Sequence, residues 1–186
     1  MTVNLADPPL LTAEQYGRLP SDDYSELVKG RIVRMTPNYP YHGYVCCEML
    51  FRLRQFLEQH SLGRVFSNDS GVITERDPDT VRGADLAFYS FGRLPPGEIP
   101  QGDYFAVLPE LVVEVRSPSD RWRKVIVKVG EYLTAGVTAV LVLDPQTKSA
   151  QVYRDEGLPQ TFGPDDTLTL PDVLPGFEVV VRRVFE

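Results

Sequence analysis

Cysteine and histidine are scarce in this chain, with two of each among 186 residues. The cysteines, Cys46 and Cys47, are adjacent, and neighbours in sequence rarely bridge each other. That excludes a disulfide framework and a cysteine-based zinc motif, so both thiols are expected to be buried and reduced on a helix. Two histidines are too few for a histidine-rich metal centre. No apolar run approaches the roughly 20 residues that cross a bilayer. There is no P-loop and no Gly-x-Gly-x-x-Gly fingerprint, which removes the commonest phosphate-cradling loops. Ser117 and Ser119 lack a Gly-x-Ser-x-Gly elbow and a histidine partner, so turn and cap roles are expected for them. Met1 to Thr12 lacks a basic start followed by an apolar core, and the cytoplasm is the expected compartment. On that reading the acceptor match Asn68-Asp69-Ser70 carries no weight.

Positive charge is also in deficit. Lys and Arg total 19 against 26 Asp and Glu, a net charge of -7. A general nucleic-acid coat protein, which binds by neutralising phosphates, is thereby disfavoured. An enzyme with one local basic patch is not.

Hydrophobic residues make up 42% and charged residues 24%, as in an ordinary globular protein. The length suits a single domain, 1–186, with a sizeable core. Thr12 to Leu19 reads as a short helix capped by Thr12. Tyr24–Val28 and Arg31–Thr36 flank Lys29-Gly30 as a hairpin. Asn38 to Gly43 reads as a loop. Val45, Met49, Leu53, Phe56 and Leu57 recur at helical spacing and predict a helix from Tyr44 to His60. Short strands are expected at Val65–Ser67, Val72–Thr74, Ala84–Phe88 and Leu111–Val115, with a long loop from Tyr89 to Leu108. Ser119 or Asp120 should cap a helix that runs to Ala135 and stops at Gly136. Thr138–Leu143 predicts a central strand and Ser149–Arg154 an edge strand, and a final hairpin ends in Phe177–Val181. The expected fold class is α/β (α+β): a mixed β-sheet core flanked by helices, with an added N-terminal β-hairpin.

Two carboxylates stand out against this background. Glu114 interrupts the apolar run Leu111-Val112-Val113-Glu114-Val115, and Asp85 heads Ala84-Asp85-Leu86-Ala87-Phe88. A buried unpaired carboxylate costs several kcal/mol or stays protonated. If the two strands are neighbours, a shared divalent cation removes that cost. Two carboxylates, the Val115 carbonyl and waters form an oxygen set that suits Mg2+, with Mn2+ as a substitute. The competing role for each acid is a strand-end carboxylate, solvated or bridged to Arg82 or Arg116.

Other residues could join them. Val125, Val129, Tyr132 and Leu133 form the apolar face of the helix that runs to Ala135, and Lys128, three residues after Val125 and four before Tyr132, sits beside that buried stripe. There it either stabilises charge on a phosphate or snorkels to water. Glu26, on the first hairpin strand, either completes an acidic site or pairs with Arg31 or Arg34 on the surface. His42 either contacts a phosphate or acts in proton transfer, or it is a loop or capping residue. His60 is read as a surface group at a helix end. Arg121-Trp122-Arg123-Lys124, with Arg116 upstream, either grips backbone phosphates or forms a solvated helix face.

An acid on one strand, a second acid on the next and a lysine close by resemble the PD-(D/E)XK nuclease superfamily. More specifically, the chain resembles the Uma family of bacterial endonuclease-like proteins. The matching segments are Tyr24-Ser25-Glu26-Leu27-Val28-Lys29-Gly30, Tyr41-His42-Gly43, Arg82-Gly83-Ala84-Asp85-Leu86-Ala87-Phe88, Leu111 to Asp120, and Lys128 to Val137. They span nearly the whole chain in order. The resemblance implies a restriction-endonuclease-like fold, metal ligation by Asp85 and Glu114, and site roles for Glu26 and Lys128. Two positions depart from the pattern. Ala84 replaces the usual proline, and Arg116 stands where lysine is usual, so Lys128 from the following helix is the candidate lysine.

The function expected from all this is Mg2+-dependent hydrolysis of DNA phosphodiester bonds. The catalytic set is Glu26, Asp85, Glu114 and Lys128, and the metal ligands are Asp85, Glu114 and the Val115 carbonyl. Cutting two strands favours a homo-oligomer. The rival readings are a non-catalytic nucleic-acid or protein-binding module on the same fold, and a small-molecule phosphoesterase.

Overall fold

The computed structural model describes residues 9–20, 24–102 and 104–186. Most of the N-terminal stretch read above for a signal lies outside them. A short helix α1 (Ala13–Gly17) opens the described chain, capped by Thr12 through a reciprocal capping box with Gln15. The hairpin β1 (Ser25–Val28) and β2 (Arg31–Arg34) follows, turning through Lys29 and Gly30, both at positive φ.

Helix α2 (Pro40–Gln59) begins one turn earlier than its apolar periodicity predicts. Pro40 is the reason: its missing N–H costs nothing at the first helical position, and its fixed φ suits the start. The stretch read as a loop is therefore mostly helix. His42, Val45, Met49 and Leu53 form its buried stripe. Both cysteines lie on this helix as expected, but Cys47 is exposed and not buried.

Strands β3 (Gly63–Glu75) and β4 (Thr80–Ser90) make a long antiparallel pair. The two short strands expected around residues 65–74 are one strand with a bulge. Ser67 pairs with Leu86 and Ser70 with Ala84, so Asn68 and Asp69 both oppose Asp85. Both bulge residues have positive φ, a backbone state that Asn and Asp tolerate better than most residues. After an irregular crossing come β5 (Leu111–Val115), α3 (Trp122–Ala135), β6 (Ala139–Asp144), β7 (Ser149–Tyr153) and β8 (Gln160–Phe162). A separate antiparallel pair, β9 (Thr167–Leu170) and β10 (Leu174–Val180), precedes a final 3-10 turn (Val181–Val184).

The main sheet runs β2-β1-β4-β5-β6-β7-β8, with β3 paired to β4 beside this path. Among the described strands only β5 and β6 are parallel, and α3 is the crossover between them. Residues alternate across the sheet. Leu111, Val113 and Val115 face α2 and the β9–β10 pair, in a core with Met49, Leu53 and Phe88. Val112 faces α3, in a second core with Val129, Tyr132 and Val140. β6 is buried along its whole length, as its unbroken apolar run predicts.

Two cap expectations meet different outcomes. Gly136 ends α3 at φ 112, in the left-handed region. At the other end the N-cap is Arg121, with no side-chain cap bond. Asp120 is engaged one step upstream, where its carboxylate accepts the Ser117 N–H at 2.9 Å. Its own N–H donates to the Ser117 carbonyl at 2.9 Å, closing a tight turn between β5 and α3. Among the described residues, no helix is long and apolar enough to cross a membrane.

Candidate active site

The site grows out of a gap in the sheet. β3 occupies one edge of β4 along its length, so β1 and β5 share the other edge. β1 pairs there at Val81, and β5 pairs at Leu86–Phe88. Among the described residues, 82–85 thus have no strand partner on that side. Backbone groups exposed by such a gap need other partners, and side chains supply them. Gly83 N–H donates to Glu26 Oε1 at 3.1 Å, and the Gly83 carbonyl accepts from Lys128 Nζ at 2.8 Å.

Lys128 reaches this gap from α3. Its ammonium lies 3.0 Å from Glu114 Oε2 and 3.2 Å from Glu26 Oε1. The fully buried Tyr132, one turn further along α3, donates its hydroxyl to Glu114 Oε1 at 2.9 Å. Glu26 also takes Arg82 Nη1 at 2.7 Å, and Arg82 forms a two-pronged bond with Glu131 at 2.6 and 2.9 Å. Glu26 is therefore a buried member of the cluster and not a surface partner of Arg31 or Arg34.

Asp85 sits at the next register position after Leu86, across from Glu114. Its Oδ2 accepts the Val115 N–H at 2.7 Å and lies 3.2 Å from His42 Nε2. His42 is thus a buried side chain pointed at the site from the first turn of α2. Arg116 points elsewhere. It pairs with Asp144 at 3.0 Å and lies over the Trp122 ring, 5.0 Å from its centroid. Neither Asp85 nor Glu114 takes the arginine partner weighed for it from sequence.

Electrostatics follow from this crowding. Burial, opposed by Lys128 and reinforced by the charge of Asp85, raises the Glu114 carboxyl to about 7. Burial works against a charge on Lys128, but Glu114, Glu26 and Asp85 outweigh it and hold the ammonium well above its ordinary range. Burial also opposes a charge on Glu26, yet Lys128 and Arg82 pull its pKa below the usual value. Burial and then Asp85 push Asp69 up. Burial, followed by Asp85, Asp69 and Glu114, pushes the Cys46 thiol far up. His42 is raised, because the hydrogen bond and charge of Asp85 overcome its burial.

The donor chemistry suits a divalent cation. Glu26, Asp69, Asp85, Glu114 and Glu131 crowd around Arg82, Lys128 and His42. Negative charge is in surplus, and both Glu114 and Asp69 are raised by it as well as by burial. A dication facing Asp85 and Glu114 would remove the surplus.

A family model described as "Uma2: Putative restriction endonuclease" matches residues 13–182. The chain belongs to the Uma2 family. Among solved structures, it is similar to one titled as a "putative nuclease belonging to DUF820" from Anabaena variabilis. The two share 20% identity over 94% of this chain and 97% of the other, with a TM-score of 0.80. That likeness shows the fold, a mixed restriction-endonuclease-like sheet with few helices. No curated protein matches the chain.

Within this Uma2 fold, Glu26, Asp85, Glu114 and Lys128 come to one place from β1, β4, β5 and α3. Sequence reasoning missed Asp69, because it falls between the two short strands expected there and no local signal marks a bulge facing Asp85. It also missed Tyr132 as a donor, having counted it as core. Arg82 was weighed only as a partner of Asp85 or Glu114, and nothing in the sequence pointed to its clamp on Glu26 and Glu131.

Proposed function

We propose that this protein is a metal-dependent endonuclease that hydrolyses DNA phosphodiester bonds. The convergence of Asp85, Glu114 and Lys128 at the gap in the β4 edge carries this reading. Asp85, Glu114 and the Val115 carbonyl would hold Mg2+, or Mn2+ in its place. Bound there, the ion would polarise a phosphate oxygen and lower the pKa of its water.

The protein's own groups supply the rest. Lys128 keeps its positive charge and lies within reach of Glu114, so it can move onto a phosphate oxygen as negative charge develops. Glu26 remains ionised and holds the ammonium from the far side. Tyr132 fixes the other Glu114 oxygen. Val115 N–H and His42 fix Asp85. Arg121, Arg123 and Lys124 are exposed at the start of α3, on the segment joining Glu114 to Lys128. They form the local basic patch that a chain of net charge -7 needs to hold DNA phosphates. Double-strand cleavage would use a homo-oligomer, and the cytoplasm is the proposed compartment.

The test is cleavage of supercoiled and linear DNA with Mg2+ or Mn2+. Wild-type protein should cut only with the ion, and Asp85→Ala should lose cleavage while keeping its thermal unfolding transition. Unchanged DNA binding without cutting in any divalent ion would overturn the proposal and favour a binding module.

A further inference from the structure

Beyond the hard-ion pair lies a second donor set. We propose that His42, Cys46 and Asp85 form a second site, overlapping the first at Asp85, for a borderline transition ion of the zinc class. His42 and Cys46 are four residues apart on α2, so they share one helix face a turn apart. Cys46 Sγ lies 3.6 Å from His42 Nδ1, and Asp85 Oδ2 lies 3.2 Å from His42 Nε2. With one donor atom taken from each residue, all three lie within 4.8 Å of one another. Zinc bonds of about 2.0–2.3 Å put tetrahedral ligands roughly 3.3–3.8 Å apart. Any edge as long as 4.8 Å must therefore draw in by about 1 Å. His42 is 6% exposed and Asp85 8%, so packing already holds two of the three donors in place.

Sulfur and imidazole donors select Zn2+ or Co2+ over Mg2+. Binding would displace the Cys46 thiol proton to solvent and leave a metal-bound thiolate. No oxidant or reductant takes part. Asp85 belongs to both sites. A zinc-class ion would therefore withdraw it from the Asp85–Glu114 pair and inhibit cleavage. That consequence rests on the nuclease reading, whereas the binding itself does not.

Co2+ titrated into the reduced full-length chain tests the site by absorption. The expected result is tetrahedral visible bands and a near-ultraviolet thiolate-to-cobalt band, both bleached by Zn2+. Cys46→Ser should lose the thiolate band and Cys47→Ser should keep it. In unaltered protein, Zn2+ should slow alkylation of Cys46 at least tenfold and leave Cys47 unaffected, as read by peptide mass. Absence of the thiolate band, its survival in Cys46→Ser, or equal protection of both cysteines would overturn the site. Intact bands without any DNA cleavage would keep this site and remove the nuclease reading. Cleavage without bands would remove this site alone.

Discussion

Replacing Glu114 with glutamine should change how stability depends on pH. The folded carboxyl titrates at about 7, against an ordinary value of 4.5. Between those values the folded state binds a proton that the unfolded chain has released. This contribution to stability is complete below about pH 4.5 and is lost as pH rises through about 7. Its size is on the order of 3 kcal/mol. For a chain of this length, that is a melting shift of roughly 10 °C. Glu114→Gln cannot ionise, so its stability should lack this fall. Urea unfolding at pH 5 and pH 8.5, with chelator present, measures the difference. Wild type should lose about 3 kcal/mol more than the variant across the interval. His42 and Asp69 also titrate upward-shifted, but they are common to both proteins and largely cancel in the comparison. Mn2+ added at pH 8.5 should restore stability to wild type and do much less for the variant. Parallel profiles would show that Glu114 is an ordinary carboxylate and that the site has no charge surplus for a cation to relieve.

Other perturbations follow from the same contacts. Lys128→Met removes the cation between Glu26 and Glu114 and should cost about 3 kcal/mol in urea unfolding, with cleavage lost even under conditions where the variant is folded. Equal cleavage rates would remove Lys128 from the mechanism. Arg116→Met strands the buried Asp144 and should destabilise by about 2–4 kcal/mol, while the folded fraction cuts DNA at the wild-type rate. A loss of cleavage with stability intact would instead make Arg116 the phosphate-binding group. Tyr132→Phe leaves Glu114 Oε1 short of a donor, which should cost about 1–2 kcal/mol at pH 8.5 and move the Glu114 titration higher. An unchanged titration, followed by carboxyl chemical shift, would show that the hydroxyl does not hold the carboxylate.

Much of the architecture was legible because its signals are local. The apolar run Leu111–Val115 interrupted by Glu114, the Lys29-Gly30 turn and the Val125–Val129–Tyr132–Leu133 stripe each report on neighbours a few residues away. The start of α2 was misplaced because the Tyr- and Pro-rich stretch lacks apolar period, although Pro40 was the available signal. The α3 cap was misplaced because Asp120 has two possible backbone partners, and local sequence does not say which turn takes it.

Sequence alone therefore determined most of the strands and helices, and it singled out Asp85 and Glu114 as acids set in apolar runs, since period and polarity decide which way a side chain points; Glu26 and Lys128 stayed open between core and surface. It did not determine that β1 and β5 share one edge of β4 with a gap between them. It did not determine that a bulge carries Asp69 to Asp85, or that Arg82 clamps Glu26 to Glu131. Those contacts join residues up to tens of positions apart. Only chain packing sets such distances, and the same packing removes the water that would otherwise hold Glu114 at its ordinary pKa.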